Sequence, residues 1–444
     1  MKKYDVIVVG AGPAGLMTAL TAGSGGLRVL LLDMKKDIPR VFRSCCCNLI
    51  IEPGTHGETV TYAQAAIQFE KNRFAVPYSG AVIPLKQSVK VSPCGNTLKI
   101  KGKSAEGFVA VSYEKEMLLH NLFDLVQQQR TIDIRTETQG VGVENKPNGV
   151  RVFLRTAAGT SWVSGRVAVA ADGVNSKLVQ SLGLNETRRK FFARFRVASY
   201  HMEDVDCPYP DSWITFVGTG HTRGKRGQLY MCPKPHAGTT EPRVYELTIG
   251  IPVVAAAPGF TPEEELRYFT TQGRFASWFR RMKIIDTRAA SLNFYTPLVN
   301  PLEGNVVVVG DAAAFIETYV QGAVMYGYQA GTAILKYLAT GTGLEDYAAS
   351  WKETFEYNNP EEIMQATQGF GLHVLRDEDI DYLFSLTQGD EVRGYVNEFS
   401  DPITVRRTLF SHLEQVRQER PELAAKLEKF TEVSVHDALQ VNKT

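Results

Sequence analysis

The first 33 residues, MKKYDVIVVGAGPAGLMTALTAGSGGLRVLLLD, constrain this chain more than any other stretch. Tyr4 to Val9 is an apolar, β-branched run of strand length that ends in Gly10-Ala11-Gly12-Pro13-Ala14-Gly15. An apolar, Ala-rich helix pattern follows, and then a second apolar strand, Arg28 to Leu32, closed by Asp33. A βαβ unit with a G-x-G-x-x-G turn and an acid roughly 20 positions on is the pattern of a dinucleotide-binding fold. Gly10 permits the tight turn, Gly12 lets backbone approach a pyrophosphate, and Gly15 lets helix and strand pack closely. Pro13 and Ala14 open the helix, whose free N–H groups and positive dipole end favour phosphate. Asp33 is expected to accept a hydrogen bond from a ribose hydroxyl. The unit points to a dinucleotide without saying which one.

A chain of 444 residues is too long for one simple core, so one large domain or two closely built ones are expected. With 44% hydrophobic and 22% charged residues it reads as an ordinary globular protein. A net charge of +1 and the lack of a dense Lys/Arg cluster argue against a nucleic-acid partner. No apolar run reaches the ~20 residues of a membrane span, and the chain enters the βαβ unit with no signal peptide before it. The expectation is a cytoplasmic protein, with peripheral membrane contact left open. The six cysteines (Cys45, Cys46, Cys47, Cys94, Cys207 and Cys232) contain no C-x-x-C pair, so no metal or iron–sulfur site is expected.

Further along, the spacing of Met117, Leu118, Leu122, Leu125 and Val126 predicts an amphipathic helix over 113–128. Alternating segments from Ile132 to Leu154 predict hairpins. The strand Trp162 to Ala171 runs into Asp172-Gly173. Residues 190–300 are rich in short strands, interrupted by a helix pattern over 262–279. Asn305 to Val309 is again an apolar strand, meeting a turn at Gly310-Asp311 with a small-residue helix behind it; from Tyr347 onward the pattern is helical and charged.

Three glycine-punctuated strand ends, Gly10–Gly15, Asp172-Gly173 and Gly310-Asp311, therefore lie far apart in one chain. In this order and spacing they resemble the FAD-binding set of the para-hydroxybenzoate hydroxylase-type flavoproteins. The resemblance implies an α/β fold: a Rossmann-like FAD-binding domain (1–75, 105–185 and 295–340), an inserted, mainly antiparallel β-sheet substrate domain (76–104 and 186–294) and a helical C-terminal region (341–444). It implies that Asp311 binds the ribityl chain, that Asp172 and Gly173 approach the pyrophosphate, and that Lys115 stands where many members place an Arg on the helix after Tyr113. Gly322 and Ala323 fall in the family's segment after Gly-Asp, beside the cofactor. No second G-x-G-x-x-G follows a strand, so electrons must come from a transiently docking NAD(P)H, a ferredoxin-like partner or another flavin.

Within that superfamily the chain resembles the geranylgeranyl reductase-like branch. Arg43-Ser44-Cys45-Cys46-Cys47 lies where the branch has a basic-x-Cys-Gly loop, Gly310-Asp311-Ala312-Ala313-Ala314-Phe315 is close to its GDAAGF, and Leu375 to Leu383 (LRDEDIDYL) is similar to a helix of those reductases. The branch's proline is Thr318 here, its Gly-Glu-Gly is Gln321-Gly322-Ala323, and of its lipid-pocket motif Y-x-W-x-F-P the stretch 228–233 keeps a proline and an aromatic. The W-x-W-x-I-P of flavin halogenases and the His and Pro-Pro of aromatic hydroxylases are absent.

The resemblance implies an FAD-dependent oxidoreductase that reduces or dehydrogenates a C–C bond of a hydrophobic, prenylated type of molecule through flavin N5. A flavin monooxygenase and an electron-transfer flavoprotein-type partner remain as alternatives. Alkene reduction needs a proton as well as a hydride; the candidate donors are Cys45, Cys46, Cys47, His56 and Tyr319. Arg43, expected at the cofactor, would favour a thiolate in the adjacent triplet. Glu317 falls near the isoalloxazine ring, and Trp213 and Tyr230 are expected to line the substrate pocket.

Overall fold

The structure, a computed structural model, describes residues 4–45, 48–104, 107–190, 194–225, 227–253, 261–315, 317–359, 372, 375–397 and 400–429. Its first layer is an eight-stranded sheet centred on Tyr4–Val9, which runs parallel to Val29–Leu32 on one side and to the C-terminal half of Gly159–Ala170 on the other. Ile132–Arg135 extends the parallel part beyond Val29–Leu32, and Val306–Val308 joins beside Gly159–Ala170. The continuous apolar runs are explained by this position: Val6, Val8, Leu30, Leu31, Val167, Val169, Val306 and Val307 are covered on both faces. The alternation at 132–154 divides. Gln139–Lys146 and Gly149–Thr156 form the expected hairpin, but Ile132–Arg135 is a parallel strand.

Two helices pack on this sheet almost backbone to backbone. Pro13–Ser24 meets Tyr319–Thr340, the predicted small-residue helix. A Cβ at Gly327 would stand 2.5 Å from the carbonyl oxygen of Ala14, and one at Gly331 would stand 2.6 Å from Thr21 Cβ. Thr18 Oγ1 donates to the carbonyl oxygens of both Ala14, at 2.8 Å, and Gly327, at 3.1 Å, across the contact.

The second layer is an eight-stranded sheet whose strands follow the order 283–292, 194–203, 239–253, 228–236, 212–216, 87–91, 97–102 and 392–394. Five of its pairings are antiparallel; 212–216 with 87–91 and 97–102 with 392–394 are parallel. Its two faces follow the period of two. Val89, Ile214, Phe216, Met231, Leu247 and Ile249 point into a closed core under the helix Pro262–Thr271. Lys90, Trp213, Thr215, Tyr230 and Thr248 occupy the alternate positions and face the first layer.

Several expectations change in detail. The helix predicted over 262–279 ends at Thr271, where the Gln272 and Gly273 amides both donate to the Tyr268 carbonyl at 2.8 Å and the chain turns at Gly273, too close to the Phe269 carbonyl for a Cβ; a short 3-10 turn, Ala276–Phe279, continues it. The helix over 113–128 is Lys115–Gln127, preceded by the strand Ala110–Tyr113. Residues 48–113, which carry weak periodicity, contain eight short strands. The charged C-terminal stretch includes the strand Val392–Gly394. LRDEDIDYL contributes the helix Asp377–Leu386, and its acids tie it down: Asp377 accepts from the Thr219 amide at 2.8 Å, and Asp381 accepts from Ser92 Oγ at 2.6 Å and the Cys94 amide at 2.7 Å.

Gly327→Ala forces the two helices apart and should cost about 1–3 kcal/mol. The expected result is a lowered thermal midpoint together with weaker retention of the dinucleotide, because the displaced helix carries the binding turn; differential scanning fluorimetry and cofactor titration check both.

Candidate active site

The three glycine-marked strand ends converge. A Cβ at Gly10, whose φ is +100°, would stand 2.3 Å from the carbonyl oxygen of Ala171, and one at Gly15 would stand 1.8 Å from the carbonyl oxygen of Gly10. Gly310, at φ +68°, approaches Ala14. These contacts put the first turn, the Asp172-Gly173 turn and the Gly310-Asp311 turn on the rim of one cavity of about 1020 Å³ that extends between the two layers. Gly12, at the N-cap of the helix Pro13–Ser24, differs from the others: a Cβ there would meet nothing within 4 Å. That open face beside the free N–H groups of the first helical turn is the cradle a phosphate requires.

The buried Asp33 carboxylate holds this cradle in shape. It accepts from the Ala11 amide and from the Lys35 amide, each at 2.7 Å, and it borders the cavity. The Lys35 ammonium is pulled below its ordinary pKa, by burial above all. Arg43 and Lys115 also line the cavity, and Lys115 Nζ stands 3.4 Å from Cys45 Sγ. The charge set against the thiol is thus the lysine's ammonium, supplied by the helix Lys115–Gln127. Cys46 and Cys47 lie outside the described residues.

Asp172 borders the cavity, but its carboxylate is committed to its own turn. It accepts from Ser176 Oγ at 2.5 Å and from the Lys177 amide at 2.7 Å, while burial pushes its pKa up against these hydrogen bonds. Asp311 Oδ1 accepts from Thr318 N at 3.0 Å and Thr318 Oγ1 at 2.9 Å, tying the Gly310-Asp311 turn to the start of the helix Tyr319–Thr340. Glu317, Tyr319 and Ala323 line the wall beyond it. Tyr319 is held at φ +51°, in the left-handed region that costs a non-glycine residue of order 1 kcal/mol or more. Trp213 and Tyr230 form part of the ceiling, their ring centroids 5.8 Å apart.

His56, Gly322 and Gly15, three of the expected site residues, do not border the cavity. His56 does not line the cavity: it is buried behind Tyr319, with Nδ1 2.6 Å from Glu356 Oε2 and Nε2 2.9 Å from the carbonyl oxygen of Thr318. Both ring nitrogens face acceptors, so this imidazole braces the Thr318–Tyr319 turn. Gly322 serves the same contact, because a Cβ there would stand 2.5 Å from His56 Cδ2. Gly15 likewise packs without facing the cavity.

Other contributors escaped the sequence. Arg188 lies half-buried under the Gly310–Phe315 turn and donates to the carbonyl oxygens of Thr296 at 2.5 Å, Ala312 at 3.2 Å and Ala314 at 2.8 Å. Burial lowers its pKa to about 10, so it remains a cation at neutral pH. Lys90 and Asp401 pair at 2.8 Å on the cavity wall, which brings the C-terminal helix Ser400–Ser411 to the site. No local signal marks either, since the carbonyls that Arg188 holds and the Asp401 that meets Lys90 lie more than a hundred residues away in the chain.

With this geometry in place, comparisons with known proteins agree with it. Residues 3–51 match the family model described as an FAD binding domain. The digeranylgeranylglycerophospholipid reductase of Methanocella arvoryzae is 26% identical over 333 residues, covering 74% of this chain and 76% of that protein. The Methanococcus vannielii reductase of the same description is 21% identical over 357 residues, covering 80% of this chain and 82% of its own. Among solved structures, a geranylgeranyl bacteriochlorophyll reductase-like protein of Thermoplasma acidophilum superposes with a TM-score of 0.69 at 17% identity, covering 97% of this chain and all of that one. The p-nitrophenol 4-monooxygenase of Pseudomonas putida gives 0.62 at 12% identity, covering 93% and 98%. These structural likenesses are of fold. The cofactor is FAD, and the open Gly12 face, the Asp33-held turn and the cations bordering the cavity suit its diphosphate and ribose.

The Glu356–His56 pair gives the site a pH dependence. Burial pushes the Glu356 carboxyl up, but the charge and hydrogen bonds of His56 outweigh it, and the net shift is downward. A carboxyl depressed in the folded state stabilises the fold above its unfolded pKa of about 4.3 and loses that contribution as pH falls through its folded value. Glu356→Gln should therefore destabilise the protein at neutral pH by roughly 3–5 kcal/mol, as for a broken buried pair. Denaturant unfolding of both proteins from neutral pH down into the acid range should show the difference closing.

Proposed function

Starting from a chain whose sequence and fold are those of the FAD-dependent geranylgeranyl reductase-like branch, we propose that it is an FAD-dependent reductase of carbon–carbon double bonds in a hydrophobic, prenylated substrate. The observation that carries the reading is the single cavity leading from the open Gly12 face to a ceiling of Trp213 and Tyr230, with apolar walls at Phe195, Val197, Leu229 and Phe294. Its volume, about 1020 Å³, is at the upper end for small-molecule sites, which suits a dinucleotide with a long apolar chain beside it. The names of the sequence relatives supply the substrate class: a glycerolipid whose isoprenoid chains carry the double bonds.

When bound, reduced FAD supplies a hydride through N5. The chain's own residues bind, orient and exclude water. Gly12, Pro13 and the helix behind them take the diphosphate, Asp33 the ribose side, Asp311 the ribityl side, and Arg43 and Lys115 balance the negative charge. Trp213, Tyr230 and Glu317 shape the space for the reacting chain. Cys45, held against the Lys115 ammonium, and Tyr319 both border the cavity and are the candidate proton donors. Electrons arrive from an external donor, NAD(P)H, a ferredoxin or another flavin, in the cytoplasm. Among the described residues no helix is long and apolar enough to cross a membrane.

The test is anaerobic. Chemically reduced holoprotein mixed with a digeranylgeranyl glycerolipid should return to oxidised flavin while the lipid gains two hydrogens per reduced bond, read by absorbance and mass spectrometry. Incorporation of an oxygen atom from dioxygen into the substrate would overturn the reading in favour of a monooxygenase. Cys45→Ser should lower turnover by about 10²-fold or more, the usual worth of a positioned acid, with flavin content unchanged.

A further inference from the structure

The ceiling sheet carries a row of polar side chains on its cavity face, one that an apolar pocket does not call for. Strand register places them side by side. His201 pairs with Glu246, and Ser199 pairs with Thr248, on the adjacent strands 194–203 and 239–253. All four side chains are buried. Glu246 is fully enclosed, yet it is a carboxyl in the middle of a sheet. Oε1 accepts from Thr248 Oγ1 at 3.0 Å, and Thr248 Oγ1 is 2.7 Å from Ser199 Oγ. Ser199 Oγ is hydrogen-bonded in turn to Ser44 Oγ. Ser44 lines the cavity and directly precedes Cys45.

The other neighbours of Glu246 close the inner end of this chain. Lys234 Nζ stands 3.5 Å from its Oε2 and donates to Asn48 Oδ1 at 3.2 Å, while Cys232 is its cross-strand partner. His201 Nε2 is 4.0 Å from Oε1, and burial lowers the imidazole's pKa. His201 pairs on its other side with Asp286, part-exposed on the edge strand 283–292, where Arg288 also stands. A continuous line of hydrogen bonds thus runs from the buried carboxyl to the cavity wall, while His201 stands 4.0 Å away on the side of the sheet edge. Hydroxyls that both donate and accept fill every position between Glu246 and Ser44.

Packing needs alone explain such a row poorly. A sheet face turned to an apolar chain is most stable with apolar residues, and a fully enclosed carboxyl costs several kcal/mol before its partners compensate. We propose that Glu246, acting through Thr248, Ser199 and Ser44, supplies the proton that the reduced double bond requires. The inference rests on the reductase reading above. In the balanced step one alkene carbon takes the hydride furnished by the bound flavin, and its neighbour takes a proton from the donor on the cavity wall at Ser44-Cys45. That donor is reprotonated along the hydroxyl chain from Glu246, which is left as a carboxylate beside the Lys234 ammonium until a proton from solvent replaces the one passed on.

Thr248→Val removes one hydroxyl from the middle of the line without changing side-chain volume much, and Thr248→Ser puts it back. In the anaerobic lipid assay, Thr248→Val should lower kcat at least tenfold with KM unchanged, enlarge the solvent deuterium isotope effect and shift the pH profile of kcat. Thr248→Ser should restore all three, and Glu246→Gln should behave like Thr248→Val. Reoxidation of the reduced flavin by a one-electron dye, which takes no proton from this wall, should stay at the wild-type rate. In the flavin-free protein the infrared carboxyl signal that disappears in Glu246→Gln should shift in Thr248→Val, because the 3.0 Å hydrogen bond is gone. Wild-type kcat, pH profile and isotope effect in both Thr248→Val and Glu246→Gln, or an unshifted infrared signal, would overturn the relay while leaving the reductase standing. A wild-type protein that reduces no prenyl double bond removes the reductase reading, and the relay with it.

Discussion

Everything at the cofactor end of this molecule depends on backbones touching where side chains are missing. The Gly10 turn lies against the Ala171 carbonyl, the helix behind it lies against Gly10 itself, and the long helix Tyr319–Thr340 reaches that helix through Gly327 and Gly331. Each approach is closer than any Cβ would tolerate. Together they fix three turns, drawn from residues separated by up to three hundred positions, into one rim. Burial of apolar strands drives the layers together, but the spacing between them is set by these bare contacts. Gly12 is the informative exception, since its missing side chain leaves space instead of contact.

Around that rim, buried and half-buried polar groups do the orienting, and they do so mostly through backbone. Asp33 holds two amides of the first turn, Arg188 holds three carbonyls beneath the Gly310–Phe315 turn, and His56 holds the carbonyl of Thr318 while Glu356 holds His56. Charged groups in such places are costly unless each is hydrogen-bonded. Their concentration at the edges of one cavity, and the left-handed backbone at Tyr319, mark where the fold spends stability on geometry.

The sequence was readable wherever the physics was local. The turn Gly10–Gly15, the acid at Asp33 and the apolar strands of the parallel sheet each carry their signature within a few residues. Trp213 and Tyr230, expected from the family resemblance to line a substrate pocket, border the cavity. The rest was hidden because its cause is non-local. His56 read as a candidate proton donor because nothing near it in the chain points to its partner, Glu356, three hundred residues away. Arg188 and Lys90 carry no motif, and only the folded arrangement brings carbonyls to one and Asp401 to the other. The small strands between residues 48 and 113 were missed because each is too short for periodicity to show.

The two-faced ceiling sheet separates two kinds of inheritance. Residues such as Ile214, Phe216, Leu247 and Ile249 answer to a closed core and are bound by its packing. Their sequence neighbours Trp213, Thr215, Tyr230 and Thr248 answer to whatever occupies the cavity. Adjacent positions on one strand can thus drift under unrelated pressures, and a descendant can reshape its pocket for a longer, shorter or more polar guest without disturbing the layer that keeps it folded. A motif that spans both kinds of position, as the stretch 228–233 does, is then expected to decay at alternate letters while the strand that carries it persists.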